Sequence, residues 1–300
     1  ERDARGRESR RIGYGKVSVA FLGTGLLGGA MVERMLAQGQ HVTVWNRTAS
    51  KLEALRAAGA AVAATVVDAV AAADRVHLAL TDDAVVDAVL AEGLPRLSRT
   101  AIVIDHSTTS PVTTRDRAAR LAAERVRFVH APVFMSPQMC RDGKGLIMVS
   151  GPASVFDAVQ PALSRMTGDV WYLGDRPDLA AAYKLFGNSM LFAINAGLTD
   201  VLAMARNIGV SGDEALALFS RFNTGMAIPM RGQKMVKQDF SPMFELAMAR
   251  KDVRLMLESA GSLPLIVLPA LAARMDEMIA AGHAKDDVAA IAAPVVRSSS

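Results

Sequence analysis

Apolar positions along the chain follow two regimes. In the first, short apolar runs alternate with segments whose apolar residues recur at helical spacing. KVSVAFL (16–22), HVTVW (41–45), AV (61–62), RVHLAL (75–80), AIVID (101–105), RFVHA (127–131), LIMVS (146–150) and VWYL (170–173) read as strands. Short runs that are mostly apolar suit strands buried on both faces. Between them, residues 27–38, 50–58, 66–73, 83–90, 110–124 and 155–166 read as helices. Such alternation predicts a mostly parallel sheet with helices on both faces. After about residue 175 the strand-like runs stop, and 179–208, 212–220, 245–260 and 269–281 carry helical patterning. The expected fold class is α/β, a sheet domain over 16–175 followed by an all-helical C-terminal domain over 176–293. Residues 1–15 read as a disordered basic tail and 294–300 as a second tail.

The turn after the first run reads Gly23-Thr24-Gly25-Leu26-Leu27-Gly28, a G-x-G-x-x-G. Gly23 permits the tight turn, Gly25 lets backbone approach a pyrophosphate, and Gly28 lets the helix pack close to the strand. The helix N-terminus then faces the phosphates. The motif alone is weak; its place between a strand and a helix, with a second strand following, makes it specific. Residues 16–175 are therefore expected to form a Rossmann dinucleotide-binding domain.

The end of the second run decides the cofactor. NAD sites usually carry Asp or Glu there, bonded to the ribose 2′-OH. Here the sequence is Asn46-Arg47-Thr48, with Lys51 one turn on. No carboxylate repels a 2′-phosphate, Arg47 can pair with it, and Thr48 can donate to it. The expected cofactor is NADP, with NADPH preferred over NADH. Two more loops, Leu80-Thr81-Asp82 and Asp105-His106-Ser107-Thr108-Thr109, follow strands at the edge where open α/β sheets bind ligands. Either would also serve as a plain helix cap.

The first helix of the second regime contains Lys184 and Asn188, four apart and so on one face, with Asn195 seven further on. Apart from Ser189, the rest of that segment, 184–195, is apolar. A polar stripe there is expensive unless partnered. A desolvated lysine also loses its proton more readily, which suits acid–base work. The pattern equally fits a snorkelling lysine and asparagines bonded to a neighbouring helix.

Charge narrows the function classes. The formal net charge is +4, but Arg2, Arg5, Arg7, Arg10, Arg11 and Lys16 against three acids put +3 into residues 1–16. The body is nearly neutral, so no nucleic-acid partner is expected. The uncharged stretch 185–199 is too short to span a bilayer and contains two asparagines, so no membrane association is expected. A lone cysteine, Cys140, allows no intrachain disulfide and fits a reducing, cytoplasmic setting. The five histidines have no metal-ligand spacing, and no metal is expected; His106 and His130 fall next to the loops of the expected site.

Together these residues resemble the β-hydroxyacid dehydrogenase family, which includes 3-hydroxyisobutyrate dehydrogenases and glyoxylate/succinic semialdehyde reductases. The resemblance runs over about residues 16–290 and is carried in order by FLGTGLLGGAM, NRT, DHSTTSP, HAPV, and KLFGN with the later Lys251-Asp252. It implies a nicotinamide-dependent oxidoreductase, a helical domain for substrate binding and dimerisation, and a homodimer or homotetramer. It assigns Lys184 as general acid during carbonyl reduction and as base in the reverse direction, with Asn188 as its partner. It places Thr108 near the nicotinamide and Lys251 close to the cofactor. The substrate would meet Ser107 and the segment Phe134-Met135-Ser136. That segment departs from the family pattern. A Ser-Gly-Gly turn usually holds the substrate carboxylate; here Phe134-Met135-Ser136-Pro137 replaces it, and proline removes one donor. His130 stands where the family often has aspartate. The related imine reductases share the NRT-type site but usually lack the helix lysine. An imine or an apolar carbonyl is the alternative substrate, and a non-enzymatic scaffold is disfavoured by the Lys184–Asn188 pair.

Overall fold

The computed structural model describes residues 17–296; the expected basic tail and residues 297–300 lie outside the described residues. Six parallel strands form the main sheet: β1 (Ser18–Leu22), β2 (His41–Trp45), β3 (Ala61–Val62), β4 (Arg75–Leu78), β5 (Ile102–Asp105) and β6 (Arg127–His130). Their order is β3-β2-β1-β4-β5-β6. The order reverses between β1 and β4, and in such sheets the crevice at that point, at the carboxyl ends, binds ligands. Helices α1 (Leu26–Ala37), α2 (Glu53–Ala57), α3 (Val66–Val70), α4 (Asp83–Gly93) and α5 (Pro111–Ala123) make the crossovers.

Period-2 geometry splits β1 between two cores. Val19 and Phe21 join Met31, Met35 and Val44 in one cluster, while Ala20 and Leu22 join Val66, Leu78 and Val103 in the other. Both faces of the strand are buried, which is why its sequence is nearly continuously apolar.

Two glycines set how closely the layers approach. A Cβ on Gly28 would stand 2.1 Å from the Gly23 carbonyl oxygen, and one on Gly23 would stand 2.4 Å from that of Ala79. Gly23 also has φ +97°, a conformation that side chains resist.

A second sheet follows, made of β7 (Val133–Phe134), β8 (Leu146–Val149) and β9 (Asp169–Tyr172). β7 runs antiparallel to β8, and β8 parallel to β9. It is accompanied by α6 (Pro137–Arg141) and α7 (Ala153–Met166). His130 and Ser150 exchange backbone hydrogen bonds of 3.0 and 2.9 Å, so the second sheet continues from the end of β6. The sequence pattern shows neither β7 nor α6, because two residues and five are too few to establish a period.

The chain divides into two compact units, Glu1–Gly187 and Asn188–Ser300. The division lies inside α8 (Leu179–Asn207), beyond the 175/176 boundary drawn from the loss of strand pattern. The helix is continuous, so no break in patterning marks the place. Its first turns belong to the first unit: Ala180 and Ala181 are buried, and the Ala180 N–H donates to Ser150 Oγ at 3.1 Å.

The second unit continues with α9 (Gly212–Ala217), α10 (Ala227–Lys237), α11 (Leu246–Ala260), α12 (Leu268–Met278) and α13 (Ala293–Val296). α10 is absent from the sequence reading because Pro229 and Gly232 interrupt its pattern. α13 corrects the expected tail at 294–300: residues 293–296 are helical, and Ala293 belongs to the apolar cluster with Leu246, Val253 and Met275. Two buried aspartates brace this unit. Asp200 accepts from the Ile266, Val267 and Leu268 N–H groups at 2.6, 2.9 and 2.9 Å, closing the start of α12. Asp287 accepts from Met243, Phe244 and Ala289 N–H groups and pairs with Arg231 at 2.8 Å. At 29 residues, α8 is long and apolar enough by composition to cross a bilayer. Its Asp200 and Lys184 are instead bonded to backbone groups of the protein.

Candidate active site

The glycine turn lies between β1 and α1. Gly25 is the N-cap of α1, no side chain caps that end, and a Cβ at Gly25 would meet nothing within 4 Å. The first-turn N–H groups and the open flank at Gly25 are what a pyrophosphate requires. Thr24 is buried, its Oγ1 lacks a partner among the described residues, and Leu26 projects into solvent. Leu27 packs against the core at the helix start. A groove of about 330 Å³ beside the turn is lined by Thr24, Gly25, Leu26, Gly29 and Lys51, among others.

Asn46 ties the end of β2 to this turn. Its Oδ1 accepts from the Thr24 N–H at 3.1 Å, and its Nδ2 donates to the Thr48 carbonyl at 3.0 Å. Arg47, Thr48 and Lys51 are exposed. Asp82, which caps α4 through the Val85 N–H at 3.0 Å, feels the Arg47 charge among smaller influences that hold its carboxyl low. The end of β2 thus carries Arg47, Thr48 and Lys51 as exposed donors beside the glycine turn, a set that fits the ribose side of a bound NAD(P).

The loops after β4 and β5 are cross-linked. Ser107 Oγ accepts from the Leu80 N–H at 2.9 Å, leaving Thr81 and Thr108 exposed on either side. Ser107 is itself 2% exposed, so it serves the loop rather than presenting a free hydroxyl. Beneath the loops lies a buried polar layer that the sequence pattern does not announce. His106 Nδ1 lies 2.7 Å from the Ala131 carbonyl oxygen, and His106 Nε2 lies 2.9 Å from His77 Nδ1. A carbonyl only accepts, so His106 carries its proton on Nδ1, and in the neutral ring Nε2 accepts from His77. The two rings stack 5.2 Å apart, and His77 stacks on Phe21 at 5.7 Å. Burial pushes His106 down to about 4, and His77 well below its ordinary value.

Asp105, fully buried, holds the start of the same loop. Its Oδ1 accepts from the Ser107 N–H at 2.9 Å, while Oδ2 faces His130 Nδ1 at 3.7 Å and Arg117 Nη1 at 3.8 Å. Burial alone would raise its pKa; the His130 ring and the Ser107 N–H outweigh that and hold it below the usual carboxylate value. Arg117, 1% exposed, also bonds Asp83 at 2.9 Å and Asp87 at 2.7 Å. His106 and His130 are thus structural supports of the loop, not surface groups. Cys140 is buried, and burial pushes its thiol up to about 11, away from reactivity.

Lys184 stands on the second turn of α8. Its Nζ donates to the Val133 carbonyl oxygen at 2.8 Å and lies 4.0 Å from the centre of the Phe134 ring. Burial pushes its pKa below the ordinary lysine value. The structure therefore joins Lys184 to the 133–134 segment, one of the substrate-side stretches read from the sequence. Met135 packs at the edge of the core, and Ser136 is committed as the cap of α6, accepting from the Met139 N–H at 3.1 Å. Asn188 lies one turn further along α8 and is half-buried, whereas Asn195 is exposed. Lys251, in the second unit, is exposed and paired with Asp252 at 2.8 Å. No cluster of three potential metal ligands exists among the described residues.

Comparison with known proteins agrees with this geometry. Residues 18–174 match the family described as the NAD binding domain of 6-phosphogluconate dehydrogenase. Residues 179–295 match that described as NAD-binding of NADP-dependent 3-hydroxyisobutyrate dehydrogenase. Glyoxylate/succinic semialdehyde reductase 1 of Arabidopsis thaliana is 30% identical over 259 residues, covering 83% of this chain and 89% of that protein. The cytokine-like nuclear factor N-PAC of Drosophila melanogaster is 30% identical over 251 residues, 81% of this chain but 41% of that protein. This chain thus spans about two fifths of the length of the N-PAC relatives it matches. A reductive aminase from Aspergillus terreus, solved with NADPH and ethyl levulinate, superposes with a TM-score of 0.84 at 26% identity, covering 92% of this chain and 98% of that one.

The histidine pair makes stability depend on pH. An unfolded His106 takes up a proton near 6.5, the folded one only near 4. Between those values the unfolded chain binds more protons, so stability falls as pH drops through the window, by an amount on the order of 3 kcal/mol. Urea unfolding at pH 7 and pH 4.5 checks this: the midpoint should fall clearly less in His106→Phe than in the wild type. Equal falls in both would remove His106 as the source.

Proposed function

We propose that this chain, which belongs to the β-hydroxyacid dehydrogenase family of NAD(P)-dependent oxidoreductases, reduces a small carbonyl compound with NADPH, using Lys184 as the general acid. In the reverse direction, on the hydroxy compound, the same lysine acts as base. The observation that carries the reading is the half-buried Lys184 Nζ, bonded to one backbone carbonyl on a mostly apolar helix, with its pKa pushed down by burial. A lysine in that state gives up a proton more readily than a free one and remains positioned to do so.

When bound, the cofactor supplies the hydride. The chain's own residues do the remainder. The backbone of Gly23–Gly28 and the first turn of α1 hold the pyrophosphate, and Arg47, Thr48 and Lys51 hold the 2′-phosphate, while Asn46 fixes the loop that carries them. Leu80, Thr81 and Thr108 line the nicotinamide side, on loops braced by Ser107. Lys184 Nζ protonates the oxygen of the reduced carbonyl, Asn188 orients that oxygen, and Lys251 is a further cation assigned to the cofactor. A proton lost by Lys184 is replaced from solvent, to which the half-buried side chain remains connected.

We further propose a homodimer or homotetramer. Leu185, Phe186, Met190, Leu191, Phe192 and Ile194 are all exposed along α8, an apolar run that a second copy would cover. Sedimentation equilibrium should give two or four times the 31.8 kDa chain mass; a monomer at micromolar concentration would sink this proposal.

Two variants test the chemistry. Lys184→Ala should leave NADPH affinity unchanged and lower kcat by about 10²- to 10⁴-fold, read from NADPH absorbance. Unchanged turnover would refute the assignment. Arg47→Asp should weaken NADPH by about ten- to a hundred-fold, the loss of one hydrogen bond to a charged group, while sparing NADH. If NADH is already preferred by the wild type, the cofactor assignment fails.

A further inference from the structure

Gly187 is a glycine in the interior of α8, where glycine is less favourable than alanine. What it makes room for is specific. A Cβ at Gly187 would stand 2.2 Å from Cζ of Phe134 and 2.9 and 3.0 Å from its two Cε atoms. The tip of the Phe134 ring therefore sits in the notch left by the missing side chain. A second glycine backs the same segment: a Cβ at Gly145, which has φ +102°, would stand 2.5 Å from Met135 Cβ and 2.9 Å from the Phe134 carbonyl oxygen. Ring and backbone of residue 134 are each received by a glycine.

The seated ring faces the Lys184 ammonium at 4.0 Å. An ammonium has three N–H donors. One is taken by the Val133 carbonyl at 2.8 Å and one side is covered by the Phe134 face, which leaves one direction for a substrate oxygen. The neighbouring positions offer little to a second anionic group. Pro137 has no N–H, the Ser136 hydroxyl is spent on the Met139 N–H, and Arg141 is paired with Glu33 at 2.6 Å. The face of an aromatic ring carries partial negative charge, which favours the ammonium and disfavours a carboxylate.

We propose that Phe134 and Gly187 are the specificity-determining pair of this site, selecting a carbonyl compound whose flank beside Lys184 is apolar over one that carries a carboxylate there. The inference rests on Lys184 as the proton carrier. Gly187 admits the ring, the ring turns the lysine toward a single oxygen, and its free edge offers an alkyl or aryl group a surface to pack on.

The test compares kcat/KM for pentanal and for succinic semialdehyde, with NADPH, in the wild type, Phe134→Ser, Gly187→Ala and the double variant Phe134→Ala/Gly187→Ala. Folding is checked by circular dichroism and by NADPH fluorescence. The wild type should favour pentanal by about ten-fold or more, and Phe134→Ser should erase that preference. Gly187→Ala should lower turnover of pentanal when Phe134 is present and have little further effect once residue 134 is alanine, since no ring is left to clash. A wild type that favours succinic semialdehyde, or a ratio unmoved by Phe134→Ser, would overturn the proposal. The same discrimination is read without turnover, by saturation-transfer NMR of the NADP⁺-loaded protein with 2-hexanone and hexanoate in competition. Preferred binding of hexanoate would also overturn it. Lys184→Ala keeps the two failures apart: full turnover in that variant refutes the lysine mechanism, whereas an inactive Lys184→Ala beside an unmoved ratio refutes the Phe134–Gly187 assignment alone.

Discussion

The close approach of β1, α1 and β4 is the constraint on which the cofactor side depends. With a carbonyl oxygen 2.1 Å from where a Gly28 Cβ would lie, and another 2.4 Å from that of Gly23, these layers meet at backbone distance. A methyl group at either place would push α1 off the sheet and carry its N-terminal N–H groups away from the crevice. Asn46 extends the constraint sideways by gripping the Thr24 N–H, so the turn and the end of β2 hold one geometry. The open N-terminus of α1 and the Asn46–Thr48 segment are thereby placed on the same rigid frame.

Beyond that frame the site rests on a layer of buried polar groups, most of them bonded, although His77 Nε2, Asp105 Oδ2 and both His130 ring nitrogens have no hydrogen-bond partner among the described residues. The His77–His106–Ala131 chain crosses from β4 to the end of β6, and Asp105 with Arg117 anchors the loop after β5 to α4. Such a layer is costly when a partner is missing and stiff when all are present. Here its bonded members brace the loops that carry Leu80, Ser107 and Thr108.

The lysine arrangement is built on a different principle. Lys184 is held by a carbonyl and an aromatic ring, and no carboxylate among the described residues pairs with it. Burial then acts on it directly and lowers its pKa. Beside it, where the resemblance implied a small, donor-rich turn, stands the ring of Phe134, for which Gly187 gives room.

Much of the architecture was legible in the sequence because it depends on local pattern. The alternation of apolar runs and helical segments determined the parallel sheet, and the strand–glycine turn–helix order determined where a dinucleotide can bind. The NRT segment disclosed the missing carboxylate, and Lys184 stood out because a charge on an apolar helix demands a partner. Tertiary structure alone decided who the partners are. Two-residue β7 has no period to read, yet it supplies Val133 and Phe134 to Lys184. His106, His130 and Asp105 look like loop residues in sequence, and only the packing of β4, β5 and β6 shows them buried, with His106 bonded to His77 and Ala131, and Asp105 to Ser107. Asp200 closing α12 and Asp287 bracing α11 join positions about forty to seventy residues apart. Periodicity reports which face of an element is covered; it carries no information about what covers it, and that is the physical reason the Phe134–Gly187 contact could be found only in three dimensions.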